Sequence, residues 1–170
     1  MNILLVMDIQ TIRKDINLSR IIEEVEKYIF TYEGFGYKNQ ICLQGLNETS
    51  DPYYGSRSLK EIDSEYTEKD FNVSVFPEMI YTNKIVEDLG LCRTRIMRIK
   101  PKTCLSYHYD PKPRIHIPII TNPSCFLLID KKAHYLKANG SVYLVDTTKW
   151  HTAINASLES RTHLVGVINE

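Results

Sequence analysis

Hydrophobic and polar positions along this 170-residue chain fall into two textures. In the first half, Leu18, Ile21, Ile22, Val25 and Ile29 recur at helical spacing and predict an amphipathic helix. Asn17 stands where its N-cap belongs, and Glu23, Glu24, Glu26 and Lys27 form its wet face. Residues 32–38, with Gly34 and Gly36, break that helix, and a short strand is expected over 41–43. Residues 47–72 are polar and carry Pro52 and Gly55 as well as Tyr53, Tyr54 and Arg57. Irregular stretches of this length inside a domain are often functional lids, although aromatic side chains also anchor such loops. A second helix is predicted to open at Pro77 and to end near Gly90.

After Gly90 the periodicity shortens. Eight strand-like runs are separated by turn residues: 94–99, 104–109, 114–120, 125–129, 134–137, 141–145, 152–156 and 162–168. Short strands at regular spacing point to a sandwich or barrel, and eight is the strand number of a jelly roll. Helices in one half and strands in the other give an α+β class. The expected architecture is a double-stranded β-helix, cupin-like, with supporting N-terminal helices. The whole of 1–170 is expected to be one domain, with 1–90 as a framing half and 91–170 as the core.

Composition narrows the function classes. At 43% hydrophobic and 25% charged residues the chain is ordinary for a soluble globular protein, which excludes a collagen-like rod, a coiled coil or a disordered tail. Basic and acidic side chains number 21 each, so the basic excess of a nucleic-acid binder is missing and no nucleic-acid partner is expected. The charge is unevenly placed: residues 1–90 carry a net −7 and residues 91–170 a net +7. The basic half suits a small anion, and the acidic half beside it favours a substrate with a cationic group such as an α-amine. The apolar run at 3–7 is too short for a signal-peptide core or a membrane span, so a cytoplasmic protein with no membrane partner is expected. Cys42, Cys92, Cys104 and Cys125 show no metal-binding spacing and read as buried thiols.

The chemistry lies in the second half. His108-Tyr109-Asp110 places an imidazole and a carboxylate on one side of an extended segment. Alone, a His-x-Asp pair is weak, because surface hydrogen bonds produce it often. His151 follows 43 residues later, and a jelly roll folds later strands back beside earlier ones. Two histidines and one carboxylate form the facial triad of non-heme Fe(II) oxygenases, which leaves one side of the metal open. Arg161 stands ten residues beyond His151, where its planar fork could hold a carboxylate. Arg114 with His116, and Arg161 with His163, alternate on their strands. Facing arginines in a core make sense only around an anion or paired acids.

The stretch from Arg98 to Val167 resembles the aspartyl/asparaginyl β-hydroxylase family of Fe(II)- and 2-oxoglutarate-dependent oxygenases, which includes proline hydroxylases. The resemblance runs through Pro101, His108-Tyr109-Asp110, Arg114-Ile115-His116-Ile117-Pro118 and Thr121-Asn122-Pro123. It continues through Gly140, Asp146, His151, Asn155, Arg161 and His163-Leu164-Val165. It implies that His108, Asp110 and His151 are catalytic iron ligands and that Arg161 pairs with the far carboxylate of 2-oxoglutarate. It implies that Arg114 and His116 line the same cosubstrate pocket. The implied reaction uses dioxygen, hydroxylates an amino acid or a peptidyl Asp, Asn or Pro-type side chain, and releases succinate and carbon dioxide. The substrate partner is thus an amino acid, peptide or protein; the sequence leaves that choice and the oligomeric state open. Two alternatives stand beside this reading. One is a non-catalytic jelly-roll module that binds a metal or ligand; the other is a cupin-type metal isomerase or hydrolase, which needs no arginine after the last histidine.

Overall fold

A computed structural model of the chain describes residues 7–32, 35, 39–56, 59–62 and 65–169. The expected helix break at 32–38 therefore lies mostly outside the described residues, as do Arg57 and all of the 3–7 run except Met7.

The first half builds a strand, two main helices and short connecting turns. Strand β1 (Ile9–Arg13) precedes helix α1 (Leu18–Glu24), which continues as a wider π turn over Val25–Ile29. The Asn17 side chain accepts the Arg20 N–H, and Ile21, Val25 and Ile29 are buried, as the periodicity predicted. Strands β2 (Gln40–Cys42) and β3 (Gln44–Gly45) follow. The 47–72 stretch holds a 3₁₀ turn at Tyr54–Ser56, a one-turn helix α2 (Leu59–Ile62) and a second 3₁₀ turn at Glu68–Asp70. Tyr53 packs on Tyr32 with ring centroids 5.6 Å apart, so aromatic contact does anchor this loop. Strand β4 (Val73–Ser74) pairs with β3.

Helix α3 (Ile80–Asp88) starts three residues later than Pro77 suggested. The reason is a cap supplied from elsewhere. The Glu24 carboxylate of α1 accepts the backbone N–H groups of Tyr81 and Thr82 at 2.8 Å each, and the Thr82 hydroxyl at 2.6 Å. A carboxylate at a helix N-terminus satisfies donors that have no partner within the helix. Glu24 is thus half-buried rather than part of a wet face.

The second half is the double-stranded β-helix. Its eight strands are β5 (Leu91–Ile99), β6 (Thr103–Cys104), β7 (Arg114–Ile120), β8 (Cys125–Ile129), β9 (Lys132–His134), β10 (Val142–Val145), β11 (His151–Asn155) and β12 (Arg161–Ile168). One sheet runs β1-β10-β7-β12-β5-β2 and the facing one β6-β11-β8-β9, with antiparallel neighbours throughout. The run expected at 104–109 is a strand only over β6, and His108 rejoins the sheet as an isolated bridge to His151. The β8–β9 hairpin turns at Asp130 and Lys131, both at positive φ, so β9 begins earlier than the expected 134–137. Positive φ at both central residues matches the twist of a two-residue hairpin. Strand β1, unforeseen in the sequence, pairs with β10 along the sheet edge.

Period-two alternation divides each central strand between two environments. Ile115, Ile117 and Ile119 of β7, with Ile96 of β5 and Leu164 of β12, pack against Ile21, Val25 and Ile29 on the helical side. The opposite face looks between the sheets. There, Ile99, Leu127, Ile129, Leu136, Tyr143, Val145 and Ala153 form a second apolar cluster. The same face also carries Arg95, Met97, Arg114, His116 and Arg161, which line a cavity of about 270 Å³. Among the described residues, no helix is long and apolar enough to cross a membrane.

Candidate metal centre and anion pocket

His108, Asp110 and His151 converge on this cavity, and one ligand atom from each lies within 4.8 Å of the others. Backbone pairing fixes the two histidines: His108 N–H donates to His151 O at 3.0 Å and His151 N–H to His108 O at 2.8 Å. Each imidazole then uses Nδ1 on a carbonyl two residues back, His108 on Ser106 at 2.7 Å and His151 on Lys149 at 2.9 Å. A carbonyl only accepts, so both Nδ1 atoms carry the proton and both Nε2 lone pairs are free. Such a carbonyl partner orients a metal-binding imidazole and selects its tautomer. Burial lowers the His151 pKa, and nearby His108 adds to that effect, so the ring is neutral at pH 7.

Asp110 completes an N,N,O donor set that fits a facial triad. Its backbone N–H donates to Thr147 O at 2.8 Å. Arg114 holds its carboxylate in a two-pronged pair, with Nε to Oδ2 at 3.0 Å and Nη2 to Oδ1 at 3.1 Å. Burial pushes this carboxyl's pKa up, but the Arg114 hydrogen bonds and charge outweigh it and hold the group below its ordinary value. His151 Nε2 stands 3.8 Å from Asp110 Oδ2.

Behind Arg114 is Glu68, which the sequence reading missed. It is buried, bonds to Arg114 Nη1, and lies 3.5 Å from Arg93 Nη1. Arg114 therefore lines the cavity but directs its guanidinium at two carboxylates. Nothing marked Glu68 among the many acids of the polar 47–72 stretch; only folding carries it inside.

Arg161 is placed differently. It is 3% exposed, and no carboxylate comes within ion-pair range of it among the described residues. Burial pushes its pKa down to about 10, which leaves it charged at neutral pH. Its Nη2 meets His163 Nδ1 at 2.9 Å, and the same Nδ1 faces His116 Nδ1 at 3.3 Å. A guanidinium only donates, so His163 Nδ1 bears the lone pair and His116 Nδ1 the proton. Burial first, and then the Arg161 charge, hold both imidazoles well below the ordinary value and so uncharged. A buried cation without an acid is costly unless an anion arrives.

Asn155 is fully buried, donating from Nδ2 to Ile99 O at 3.0 Å and to Glu159 O at 2.7 Å. It braces the turn that delivers Arg161. Trp150, the single tryptophan, is half exposed and stacks on Tyr107 with centroids 5.5 Å apart, beside the His151 strand. Arg95 is the second residue the sequence reading passed over. It lines the cavity with Gln40 and Met97, and no motif in the sequence marked it.

The family model for aspartyl/asparaginyl beta-hydroxylase matches residues 57–169, about two thirds of the chain. The chain belongs to the aspartyl/asparaginyl β-hydroxylase family. No curated protein matches it in sequence. Among solved structures, NgTET1 in complex with 5mC DNA aligns at TM-score 0.51 and 14% identity, over 94% of this chain and 71% of that one. AviO1 from Streptomyces viridochromogenes Tue57 aligns at 0.50 and 12% identity, over 88% of this chain and 82% of that one. A cupin 2 conserved barrel domain protein from Salinispora arenicola CNS-205 aligns at 0.36 and 16% identity over 43% of this chain, which spans 59% of that protein. At 12–14% identity, what this chain shares with NgTET1 and AviO1 is the fold. Within that fold, His108, Asp110 and His151 form a group that could hold a metal ion.

Proposed function

We propose that the protein is an Fe(II)- and 2-oxoglutarate-dependent dioxygenase that hydroxylates an amino acid or a peptidyl side chain. The observation that carries this reading is one cavity lined by both the His108–Asp110–His151 group and the acid-free Arg161. His108, Asp110 and His151 would hold the iron, and the bound metal with its cosubstrate would supply the oxidising chemistry. The chain's own groups supply position. Ser106 and Lys149 carbonyls aim the imidazoles, while Arg114 and Glu68 hold Asp110 ionised and fixed. Arg161 receives the far carboxylate of 2-oxoglutarate, and neutral His116 lines the path between that arginine and the metal group.

Anaerobic titration of Fe(II) and 2-oxoglutarate into the protein tests the reading through its metal-to-ligand charge-transfer band. The band is expected in the parent and absent from His151→Ala. A charged hydrogen bond contributes about 1.5–3 kcal/mol. Losing it in Arg161→Ala therefore weakens 2-oxoglutarate binding roughly 10- to 150-fold. A band that survives His151→Ala, or an Arg161→Ala affinity within a factor of two of the parent, refutes the assignment. Binding without succinate release identifies a non-catalytic module instead.

A further inference from the structure

The cavity is lined by a further, half-buried cation that the cosubstrate does not account for. Arg95 lies on β5, opposite Val165 of β12, which in turn stands opposite His116 of β7. Arg161 lies four residues from Val165 on β12, a displacement of about 13 Å along the strand. The two guanidinium groups also have separate partners: Arg95 meets Gln40 at 3.2 Å, whereas Arg161 meets His163 at 2.9 Å. They are distinct anion points.

Among the described residues, Arg95 has one polar partner. Its Nη1 donates to Gln40 Oε1 at 3.2 Å, while its Nε is buried with no acceptor. No carboxylate comes within ion-pair range of it among the described residues, because Asp110 and Glu68 are both engaged by Arg114. Gln40 orients the guanidinium without neutralising it. Nε is closed off and Nη1 is taken by Gln40, so Nη2 is the donor left to meet an anion in the cavity through a charge-assisted hydrogen bond. A dicarboxylate bound to Arg161 and to the metal has both of its charges matched, and Arg95 still lacks an anion.

We propose that Arg95, held by Gln40, is the substrate's carboxylate anchor, so that the substrate presents a carboxylate to this wall of the cavity. This rests on the oxygenase reading for its second anion, but not for the anchor itself. The net charge of the two halves of the chain favoured a cationic substrate group; the local lining here has the opposite demand. An amino acid satisfies both, and so does an acidic side chain of a peptide with a basic neighbour.

The test is calorimetric titration of L-aspartate, L-asparagine, L-proline and the α-amide of each into the full chain. It is run metal-free and again with Mn(II) and 2-oxoglutarate. If the α-carboxylate is the ligand, every acid outbinds its amide; if a side-chain carboxylate is, aspartate outbinds asparagine whether or not it is amidated. Arg95→Gln is expected to weaken the preferred acid roughly 10- to 150-fold and to erase the preference, with 2-oxoglutarate affinity retained. Arg95→Lys keeps the charge but not the fork, and is expected to show a smaller loss in the same direction. It replaces Arg95→Gln should circular dichroism show that variant unfolded. Equal binding of acids and amides, no binding of any of them, a preference that survives substitution, or loss of 2-oxoglutarate instead would each overturn the proposal. Failure of the parent to bind Mn(II) or 2-oxoglutarate would sink the oxygenase reading alone, since the metal-free titration still decides on Arg95.

Discussion

Glu68→Gln isolates the contribution of a loop residue to the metal group. Glu68 sits on a 3₁₀ turn closed by Thr67 and Asp70, which cap one another reciprocally, and its side chain is buried against Arg114 and Arg93. Removing one partner of a buried ion pair costs about 3–5 kcal/mol, because the remaining charge is stranded. Arg114 keeps Asp110, and the glutamine amide keeps a hydrogen-bonding oxygen, so the lower end, about 3 kcal/mol, is expected. For a chain of this size each kcal/mol moves the midpoint by about 2–4 °C, which gives a fall of about 6–12 °C. Thermal and urea unfolding of the metal-free protein measure it. A double-mutant cycle with Arg114→Gln should return a coupling of about 1 kcal/mol or more. A second readout is metal affinity, which should weaken as Arg114 loses the clamp that aims it at Asp110. A midpoint drop under about 2 °C with no coupling would show that Glu68 is solvated, and the argument that this loop buttresses the site would be wrong.

Two further outcomes test the interior. His116 and His163 are uncharged in the fold because burial holds their pKa values well below the ordinary 6.5. The unfolded chain takes up those protons first, so their contribution is fully present above pH 6.5 and is lost as pH falls below it, with a slope of about 1.4 kcal/mol per pH unit for each ring. Urea unfolding of the metal-free protein at pH 7.5, 6.5 and 5.5 should show falling stability; a flat profile would mean that the pair is charged or exposed. Gly140 has φ +80° and packs on the backbone of Ile16, where an added Cβ would meet the carbonyl oxygen. Gly140→Ala should cost more than about 1 kcal/mol, from the strained backbone and the clash together, and an unchanged unfolding midpoint would contradict that contact.

Local regularity made much of the fold legible. The spacing of Leu18 to Ile29 specified α1, and the runs after Gly90 yielded the eight strands of the β-helix, two of them, β7 and β8, with the expected limits. His108 and Asp110 could be named from their two-residue spacing, and His151 and Arg161 from their ten-residue offset together with the family resemblance over 98–167. What tertiary structure decided was the pairing of charges and the supply of caps. Glu24 looked like a wet residue until α3 presented its free N–H groups, and only folding paired the cavity-lining Arg114 with Glu68 and Asp110. Arg95 resembled any strand arginine until folding left it in a cavity without an acid. Periodicity is written in neighbours three or four residues apart, so a chain carries it openly. The partner of a buried charge can lie 46 residues away, as Glu68 does from Arg114, and only the folded path brings the two together.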